Sequence, residues 1–369
     1  MGREMRALIL SPDPGRQGGV RDFVEIFKSR LASPIRAEGF IVGRGGGPGG
    51  LVGAFADAAR LFVRLASKPD VVHLNPSLNK AIVREALAML SLRLRGIRNI
   101  LVFIHGWDLE WERRIDRSPV WRWLLRRSYG QAARIVVLAG RFRGKLLEWG
   151  FDRRQVGVMT TFFEGAQFDG LVRDRHDDAV QLLFLSRFVR AKGGYEVIEA
   201  FARLLRDYPR LRLVCAGDGP DAGRMKALTH ELGIAERVVF PGFVSGEAKA
   251  RLLLDSDVFA FPTSHGEGCP VCLLEAMASG MAVLTAAAGG IPEVFRDGEN
   301  GVLLQHVTAA TVEAGLRRLL VNPRARQAIG EHNRQLAWAR FEAGTVSAQL
   351  VGLYQEVAAA GNPTAPPIR

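Results

Sequence analysis

The sequence predicts an α/β protein of two domains, each a doubly wound parallel sheet with helices on its faces. Short apolar runs alternate with amphipathic helical stretches along most of the chain, which is typical of parallel sheets. This alternation stops in a polar stretch near residues 165–178 and then starts again. The length of 369 residues also favours two domains, because single domains run to roughly 100 to 200 residues.

The first half contains four candidate strands and four candidate helices. The strands are short apolar runs, and the helices place apolar residues at helical spacing. We predict strands at residues 7–10, 71–74, 100–104 and 135–138. We predict helices near residues 20–31, 52–66, 80–95 and 119–131.

The second half repeats the same alternation, and a final helix follows it. A tail with three prolines at 361–369 is expected to be disordered. We predict strands at residues 181–186, 211–216, 238–240, 258–261 and 282–285. We predict helices near residues 194–207, 221–232, 246–254, 270–279, 308–320 and 342–359. The predicted division is 1–170, 171–341, and a return helix with its tail at 342–369.

The excess of basic residues is concentrated in the first half. Residues 1–154 carry 28 basic and 14 acidic side chains, a net charge of +14, whereas residues 155–369 carry 22 and 24. This asymmetry predicts an anionic partner for the first half, such as an acidic membrane surface, a phosphorylated acceptor or nucleic acid.

Cysteine content and hydropathy predict a cytoplasmic protein. Three cysteines are too few for a disulfide framework or a four-thiolate zinc site. Charged residues interrupt the most apolar long segment, 51–67, so it falls short of the roughly 20 apolar residues of a membrane span. Any membrane contact is therefore expected to be peripheral.

The most informative motif is Glu-Gly-Cys-Pro-Val-Cys-Leu-Leu-Glu, from Glu267 to Glu275. It leads from a strand into a helix, with Glu267 in the loop and Glu275 on the helix. The spacing is too long for a paired acid and base, but each carboxylate could accept hydrogen bonds from hydroxyls of one extended ligand, with Gly268, Cys269 and Val271 adding amide donors. Spacing alone favours the plainer interpretation, a helix-start charge and a partly exposed helix residue.

Other strand ends in the second half carry residues suited to phosphate binding. Arg187 and Lys192 follow the strand at 181–186, between glycines and just before a helix, so two cations and a helix dipole could hold a diphosphate. Gly217 and Asp218 follow the next strand, and the segment 289–293 repeats the strand, glycine and helix-start pattern. Each could be an ordinary turn, but together they mark one sheet edge.

Two segments of the first half occupy similar positions. Gly18 and Gly19 follow the opening strand and precede a helix, where their amides could meet a phosphate. His105 follows the strand at 100–104, where it could hydrogen-bond a substrate hydroxyl or be merely structural.

Three further motifs are discounted. The run Gly45-Gly-Gly-Pro-Gly-Gly50 fits a dinucleotide-binding pattern, but no acidic residue follows at the expected distance. Asp255 and Asp257 form a D-x-D before a strand, which is more typical of a helix end than of a metal site. Cys269 and Cys272 form a C-x-x-C, for which redox chemistry is the minor interpretation.

Taken in order, these motifs resemble the retaining GT-B glycosyltransferases of family 4, also called glycosyl transferases group 1. The resemblance spans nearly the whole chain and is strongest at residues 183–304, including the E-x7-E motif and Asp-Gly-Glu-Asn-Gly301. It implies two Rossmann-like domains that face each other across a cleft. The first would bind the acceptor and the second a nucleotide-sugar donor. One departure is Thr161-Phe-Phe-Glu-Gly165, where relatives commonly have Asn-Gly-Val-Asp.

The resemblance also implies roles for the candidate residues. Arg187 and Lys192 would hold the diphosphate and neutralise charge as it leaves, without a metal ion or cofactor. Glu275 would accept hydrogen bonds from ribose hydroxyls. The remaining predicted positions contact the phosphates or the transferred sugar: Gly18, Gly19, His105, Gly217, Asp218, Glu267, Gly268, Cys269 and Val271.

The segment 107–127 interleaves four tryptophans with six arginines. This pattern suits an anionic lipid interface or a sugar-phosphate acceptor, or else a helix with tryptophans in the core and arginines in water. Residues 84–154 carry 16 basic and 7 acidic side chains, which favours a membrane surface. No nucleic-acid-binding signature accompanies the segment, so no nucleic-acid partner is expected.

We therefore expect a metal-independent, retaining hexosyltransferase that acts on a lipid-linked or polysaccharide acceptor in bacterial surface polysaccharide or glycolipid synthesis. It would lie in the cytoplasm or on the inner face of the cytoplasmic membrane. The alternatives are a GT-B relative such as a sugar-phosphate synthase or an epimerase, and a catalytically silent nucleotide-sugar-binding or membrane-surface scaffold.

Overall fold

The computed structural model describes residues 4–12, 19–31, 34–43, 51–79, 81–174, 179–266 and 268–360. Its described residues form two compact units, one from Met1–Thr161 and Ala343–Arg369 and the other from Phe162–Glu342. We call them unit 1 and unit 2. Both are parallel α/β structures, so the predicted pair of Rossmann-like sheets is confirmed.

Unit 1 contains a six-stranded sheet in the order β2-β1-β3-β5-β7-β8, in which every pair is parallel. A short pair, β4 and β6, lies outside it. The strands are β1 (Met5–Pro12), β2 (Ile35–Val42), β3 (Val71–Leu74), β4 (Ser77–Leu78), β5 (Ile100–Ile104), β6 (Gly106–Trp107), β7 (Arg134–Val137) and β8 (Val156–Val158). The helices are α1 (Gly19–Arg30), α2 (Leu51–Arg64), α3 (Ile82–Leu94), α4 (Leu109–Arg117), α5 (Pro119–Tyr129) and α6 (Gly140–Glu148).

Unit 2 contains a second six-stranded parallel sheet, in the order β11-β10-β9-β12-β13-β14. Its strands are β9 (Gln181–Leu185), β10 (Arg212–Ala216), β11 (Val238–Gly242), β12 (Val258–Phe261), β13 (Ala282–Ala286) and β14 (Gly301–Leu304). Its helices are α7 (Gly194–Leu204), α8 (Ala222–Glu231), α9 (Gly246–Leu254), α10 (Val271–Ala278), α11 (Ile291–Val294), α12 (Ala309–Leu320) and α13 (Pro323–Arg340).

The last helix, α14 (Ala343–Ala360), belongs to unit 1. It packs beside α1, β3 and β5, and the buried Tyr354 hydroxyl lies 2.8 Å from Nδ1 of the fully buried His73. The chain passes from unit 1 to unit 2 between Thr161 and Phe162. Phe162 and Phe163 are both buried, and the Phe163 amide donates to the Phe341 carbonyl of unit 2. Thus the unit boundary lies at residue 161, where the sequence analysis placed it at 170.

The sequence located the central strands of both sheets correctly because they are continuous apolar runs. All residues of β3, β5 and β12 are buried, as expected for strands covered on both faces. It missed several peripheral elements, namely β2, β4, β6, β8, β14, α4, α6 and the eighteen-residue α13. In β2 only the first residue is buried, and the charged Arg36 and Glu38 interrupt its apolar residues.

Candidate active site

The strand-end loops of unit 2 that carry the predicted phosphate-binding residues lie side by side. They follow β10, β9 and β12, which are neighbours in the sheet. Parallel sheets bind ligands at this carboxyl edge. Arg187 follows β9, is exposed, and its guanidinium makes no hydrogen bond or ion pair with any residue that the structure describes.

The loop after β10 is packed against the loop that carries Arg187. Gly217 has φ +134°, and a Cβ atom there would lie 1.9 Å from the Ser186 carbonyl oxygen, so only glycine fits. The Phe188 amide donates to the Asp218 carbonyl over 2.8 Å and fastens the two loops together. The exposed Asp218 carboxylate accepts from the Gly219 amide over 2.7 Å, which stabilises its own turn.

Lys192 lies in a short 3₁₀ turn that the loop after β12 supports. Its ammonium group stands 5.5 Å from the centre of the Phe261 ring, within cation–π range. The neighbouring Ala191 carbonyl accepts from the Ser264 amide over 2.8 Å. Lys192 is therefore held by contacts with the strand that leads into the E-x7-E motif.

The first turn of α10 offers backbone donors. Its N-cap residue is Pro270, and no side chain caps the helix. The amides at the start of a helix have no partner one turn back, although in α10 the Leu273 amide donates to the Pro270 carbonyl over 3.1 Å. Cys269 is buried just before this turn, and Val271 opens it. Gly268 lies beside them, whereas Glu267 lies outside the described residues.

Glu275 is a buried carboxylate that two polar side chains hold from one side. Its Oε1 lies 2.6 Å from Nζ of Lys249 on α9 and accepts from Nε2 of Gln167 over 3.3 Å. Only 5% of Glu275 is exposed, and Oε2 accepts no hydrogen bond from the described part of the chain. That oxygen can accept from a ligand hydroxyl.

Lys249 and Gln167 were not found by sequence reasoning. Lys249 stands on an amphipathic helix among other charged residues, and Gln167 follows the departure at residues 161–165, so neither belongs to a recognisable motif. Only the packing of α9 against the turn at Gly165–Phe168 brings them to Glu275.

In unit 1, His105 lies at the carboxyl end of β5 and is held by a single hydrogen bond and two rings. Asn75 donates through Nδ2 to the Leu10 carbonyl, so its Oδ1 faces His105 Nε2 at 2.8 Å and must accept from it. The imidazole stacks on Phe103 at 4.3 Å and meets Phe23 edge-on at 4.5 Å. Burial lowers the pKa of His105 to about 3, so the ring is neutral at pH 7 and Nδ1 is an acceptor.

The glycine pair of unit 1 is only partly described. Gly19 is the exposed first residue of α1, and a Cβ atom there would meet no atom within 4 Å. Gly18 lies outside the described residues. Space for a ligand near the Gly19 backbone is therefore present.

The tryptophan-rich segment divides between core and surface. Trp107 is buried, stacks on Phe142 at 4.5 Å and donates to the Glu112 carboxylate, in agreement with the core alternative. Trp123 on α5 is 63% exposed next to the exposed Arg126 and Arg127. Trp111 and Trp121 are partly buried and pack against the same core, so three of the four tryptophans are packing residues and Trp123 remains on the surface.

The D-x-D pair is structural. Asp257 forms a 2.7 Å ion pair with Arg173 and accepts from the Gln181 amide, and Asp255 accepts from the Asp174 amide. These contacts tie the segment before β9 to the end of α9, as the helix-end interpretation predicts. The three cysteines are free thiols, and burial raises the pKa of Cys215 far above its usual value.

Comparisons with known proteins identify the family of the chain. Residues 172–336 match the model "Glycosyl transferases group 1", and residues 1–160 match "Glycosyl transferase 4-like domain". The chain belongs to the group 1 glycosyl transferases. The fold implied by the sequence resemblance, a GT-B pair of Rossmann-like domains, is confirmed with it.

The glycosyltransferase is similar in sequence to a curated mannosyltransferase and in fold to two solved structures. It is 27% identical to the GDP-mannose-dependent alpha-(1-6)-phosphatidylinositol monomannoside mannosyltransferase of Mycobacterium tuberculosis, covering 94% of this chain and 97% of the relative. Sucrose-phosphate synthase from Thermosynechococcus elongatus has a TM-score of 0.79 and 19% identity, covering 96% of this chain and 100% of that one. Anabaena HepE in complex with UDP and glucose has a TM-score of 0.75 and 16% identity, covering 95% and 100%.

Proposed function

We propose that this glycosyltransferase moves a hexose from a nucleoside diphosphate sugar to an acceptor, with retention of the anomeric configuration and without a metal ion. The observation that carries the proposal is the sheet edge of unit 2. There, the loop that carries Arg187 and Lys192 is fixed by contacts with the loops after β10 and β12, and Glu275 keeps one carboxylate oxygen available.

In this proposal Arg187 and Lys192 neutralise the diphosphate, as a metal ion does in other transferases. Arg187 and Lys192 bind the diphosphate and neutralise the charge that develops as it leaves, which is electrostatic stabilisation of the transition state. Oε2 of Glu275 accepts from a ribose hydroxyl. The turn Gly217 and Asp218 supports the Arg187 loop. No cofactor is required, because the nucleotide is part of the substrate.

The remaining residues position the sugar. Glu267 and the amides of Gly268, Cys269 and Val271 bind its hydroxyls, and Gly18 and Gly19 contact the phosphates. His105 stays neutral, because its surroundings exclude the charged form, and Nδ1 accepts from a sugar hydroxyl. It therefore orients the sugar without adding charge near the reacting carbon.

GDP-mannose and a lipid-linked acceptor are the first substrates to test, since relatives over most of the chain use GDP-mannose and a phosphatidylinositol mannoside. The experiment incubates the protein with labelled GDP-mannose or UDP-glucose and bacterial lipid extract, with and without EDTA. We expect a labelled glycolipid with an α linkage and a rate that EDTA does not change. A β linkage or loss of activity in EDTA contradicts the mechanism, and nucleotide binding without transfer indicates the silent scaffold.

We also propose that unit 1 rests on an anionic membrane, at the inner face of a bacterial cytoplasmic membrane. Among the described residues, no helix is both long and apolar enough to cross a membrane. Helix α2 nevertheless exposes apolar side chains at helical spacing: Val52 is 84% exposed, Phe55 59% and Val63 69%. Solvent-facing apolar residues on one side of a helix suit a lipid interface, and the basic excess of residues 1–154 adds electrostatic attraction.

Flotation with vesicles of phosphatidylglycerol and phosphatidylcholine tests this surface. Phe55→Glu and Trp123→Glu should each reduce bound protein severalfold, because a carboxylate opposes insertion and meets anionic lipid. The matched control is Phe243→Glu in unit 2, where the phenylalanine is 65% exposed. Equal binding by all four proteins contradicts the proposal.

A further inference from the structure

Unit 1 contains a cavity of about 300 Å³ at the carboxyl edge of its own sheet. Leu10, Val42 and Leu74, at or near the ends of the neighbouring strands β1, β2 and β3, line it. The first turn of α1 and the N-terminal half of α3 form its sides. Its volume lies at the low end of ligand pockets, which suits a small polar molecule or a lipid headgroup.

Two arginines give this cavity positive charge. Arg21 on α1 and Arg84 on α3 both line it, and neither forms an ion pair with any residue that the structure describes. Nε of Arg21 is buried and has no hydrogen-bond partner in the described part of the chain. A buried guanidinium nitrogen without a partner costs free energy, so the described part of the chain leaves Arg21 short of an acceptor.

The Arg84 guanidinium lies close to the backbone of unit 1. Gly43 has φ +79°, and a Cβ atom there would lie 2.9 Å from Nη1 of Arg84. The guanidinium thus lies directly over the backbone at the end of β2, where a side chain would displace it.

Among the described residues that line the cavity, the one carboxylate, Glu85, does not cancel this charge. Glu85 is buried and accepts a hydrogen bond from the Tyr129 hydroxyl. Burial raises the pKa of Glu85 to about 7, against the lowering effects of that hydrogen bond and of Arg84. The raised pKa favours the neutral form of this carboxyl near neutral pH.

The cavity shares a wall with His105. Asn75 and Ser77 line it, Asn75 accepts from His105, and the His105 amide donates to the Pro76 carbonyl over 2.9 Å. Ser77 and Leu78 then pair with Gly106 and Trp107 as β4 and β6. A molecule in the cavity therefore lies next to the segment that carries the proposed sugar-orienting histidine.

We propose that this cavity is the acceptor subsite and that it binds an acceptor carrying an oxyanion, a phosphate or a carboxylate, through Arg21 and Arg84. Guanidinium groups bind such oxyanions by charge-assisted, often bidentate hydrogen bonds. The inference rests on the proposed function, because it names the acceptor class of the same reaction. Asn75, Ser77 and Asn79 supply hydrogen bonds for hydroxyls of the acceptor.

The test measures binding of small anions while the donor site is filled. The full chain is saturated with the nucleoside diphosphate that it binds, so that added phosphate cannot occupy the donor site. Inorganic phosphate, glycerol 3-phosphate, inositol 1-phosphate and malate are then titrated calorimetrically, with glycerol and inositol as neutral counterparts. We expect at least one anion to bind at least tenfold more tightly than the neutral polyols.

Variants assign that binding to the cavity. Arg84→Gln and Arg21→Gln should each weaken anion binding at least tenfold, and Arg84→Lys should retain part of it, while nucleotide affinity is unchanged. Arg93→Gln is the matched control, since Arg93 is exposed on the same helix outside the cavity. Vesicles with phosphatidylinositol, compared with vesicles holding the same fraction of phosphatidylglycerol, distinguish a lipid headgroup from a soluble acceptor.

The inference is overturned if none of the anions binds, or if Arg84→Gln binds anions as tightly as Arg93→Gln does. In either case, nucleotide binding by the same protein would still support the proposed function. Absence of nucleotide binding by the unmodified protein instead refutes the proposed function itself.

Discussion

Glu275 shows how a buried carboxylate can be both stabilised and available. Lys249 and Gln167 both contact Oε1, so the ion pair offsets the cost of burial without using Oε2. In this proposal the ion pair orients Glu275, and a ligand hydroxyl completes its hydrogen bonding.

Replacing Glu275 by Gln should therefore weaken nucleotide binding about tenfold to a hundredfold, as expected for loss of a hydrogen bond to a charged group. Calorimetric titration with the preferred nucleotide measures the change. Glu247→Gln, on the exposed face of α9, should bind like the unmodified protein. Unchanged affinity in Glu275→Gln would remove Glu275 from the donor site.

Three buried groups of unit 1 make its stability depend on pH in opposite directions. Burial lowers the pKa of His73 and of His105 to about 3, so their contribution to stability is complete above pH 6.5 and is lost as the pH falls toward 3. Burial raises the pKa of Glu85 to about 7, so its contribution is complete below about pH 4.5 and is lost as the pH rises through 7.

Between pH 5 and pH 7, the two histidines together change the free energy of unfolding more than Glu85 does. Raising the pH from 5 to 7 should therefore increase the free energy of unfolding by roughly 1 to 2 kcal/mol through these three groups. In Glu85→Gln the opposing contribution is gone, and the rise should be at least twice as large. Urea unfolding at pH 5, 6 and 7 measures both. Equal pH dependence in the two proteins contradicts a raised pKa for Glu85.

At the scale of elements, the donor site depends on tight loops that few residues permit. Gly217 brings the loop after β10 against the loop after β9, and Gly193 does the same beside Pro262, where a Cβ atom would lie 2.4 Å from the carbonyl oxygen. These glycines fix the backbone of the loop that carries Arg187 and Lys192. No side-chain hydrogen bond or ion pair in the described part of the chain does this for Arg187.

Gly217→Ala should destabilise the protein by about 2 kcal/mol or more, because an L residue is strained at this φ and its Cβ would overlap the Ser186 carbonyl. It should also weaken nucleotide binding, since the Arg187 loop must shift. Gly223→Ala in α8 is the control: nothing lies within 4 Å of its Cβ, and helical alanine should stabilise slightly. Thermal unfolding and nucleotide titration separate the two effects, and wild-type behaviour of Gly217→Ala would refute the loop argument.

The sequence predicted those elements whose signal is local. Central strands such as β5 and β12 are uninterrupted apolar runs, and the E-x7-E motif and the Arg187 loop carry their own spacing. Lys249, Asn75 and Arg84 were not predicted, because their roles depend on which elements pack together. Trp107 was ambiguous because a buried and an exposed tryptophan have the same sequence signal until their neighbours are known.

At the scale of the molecule, the two units differ in charge and in proposed task. The basic excess lies within residues 1–154, which belong to unit 1, where the exposed apolar face of α2 and the arginine-lined cavity are found. Unit 2 carries nearly balanced charge and the candidate donor site. Helix α14 joins unit 1 through Tyr354 and the stack of His73, Phe103 and His105, so the end of the chain supports the proposed sugar-orienting residue.

Calorimetric titration of the full chain with GDP, UDP and ADP, each with and without EDTA, is the sharpest test of the donor site. We expect micromolar binding of one nucleotide, unaffected by EDTA, because Arg187, Lys192 and Glu275 provide the contacts without a metal ion. Binding that EDTA abolishes, or the absence of binding by any of the three nucleotides, would refute the metal-independent donor site.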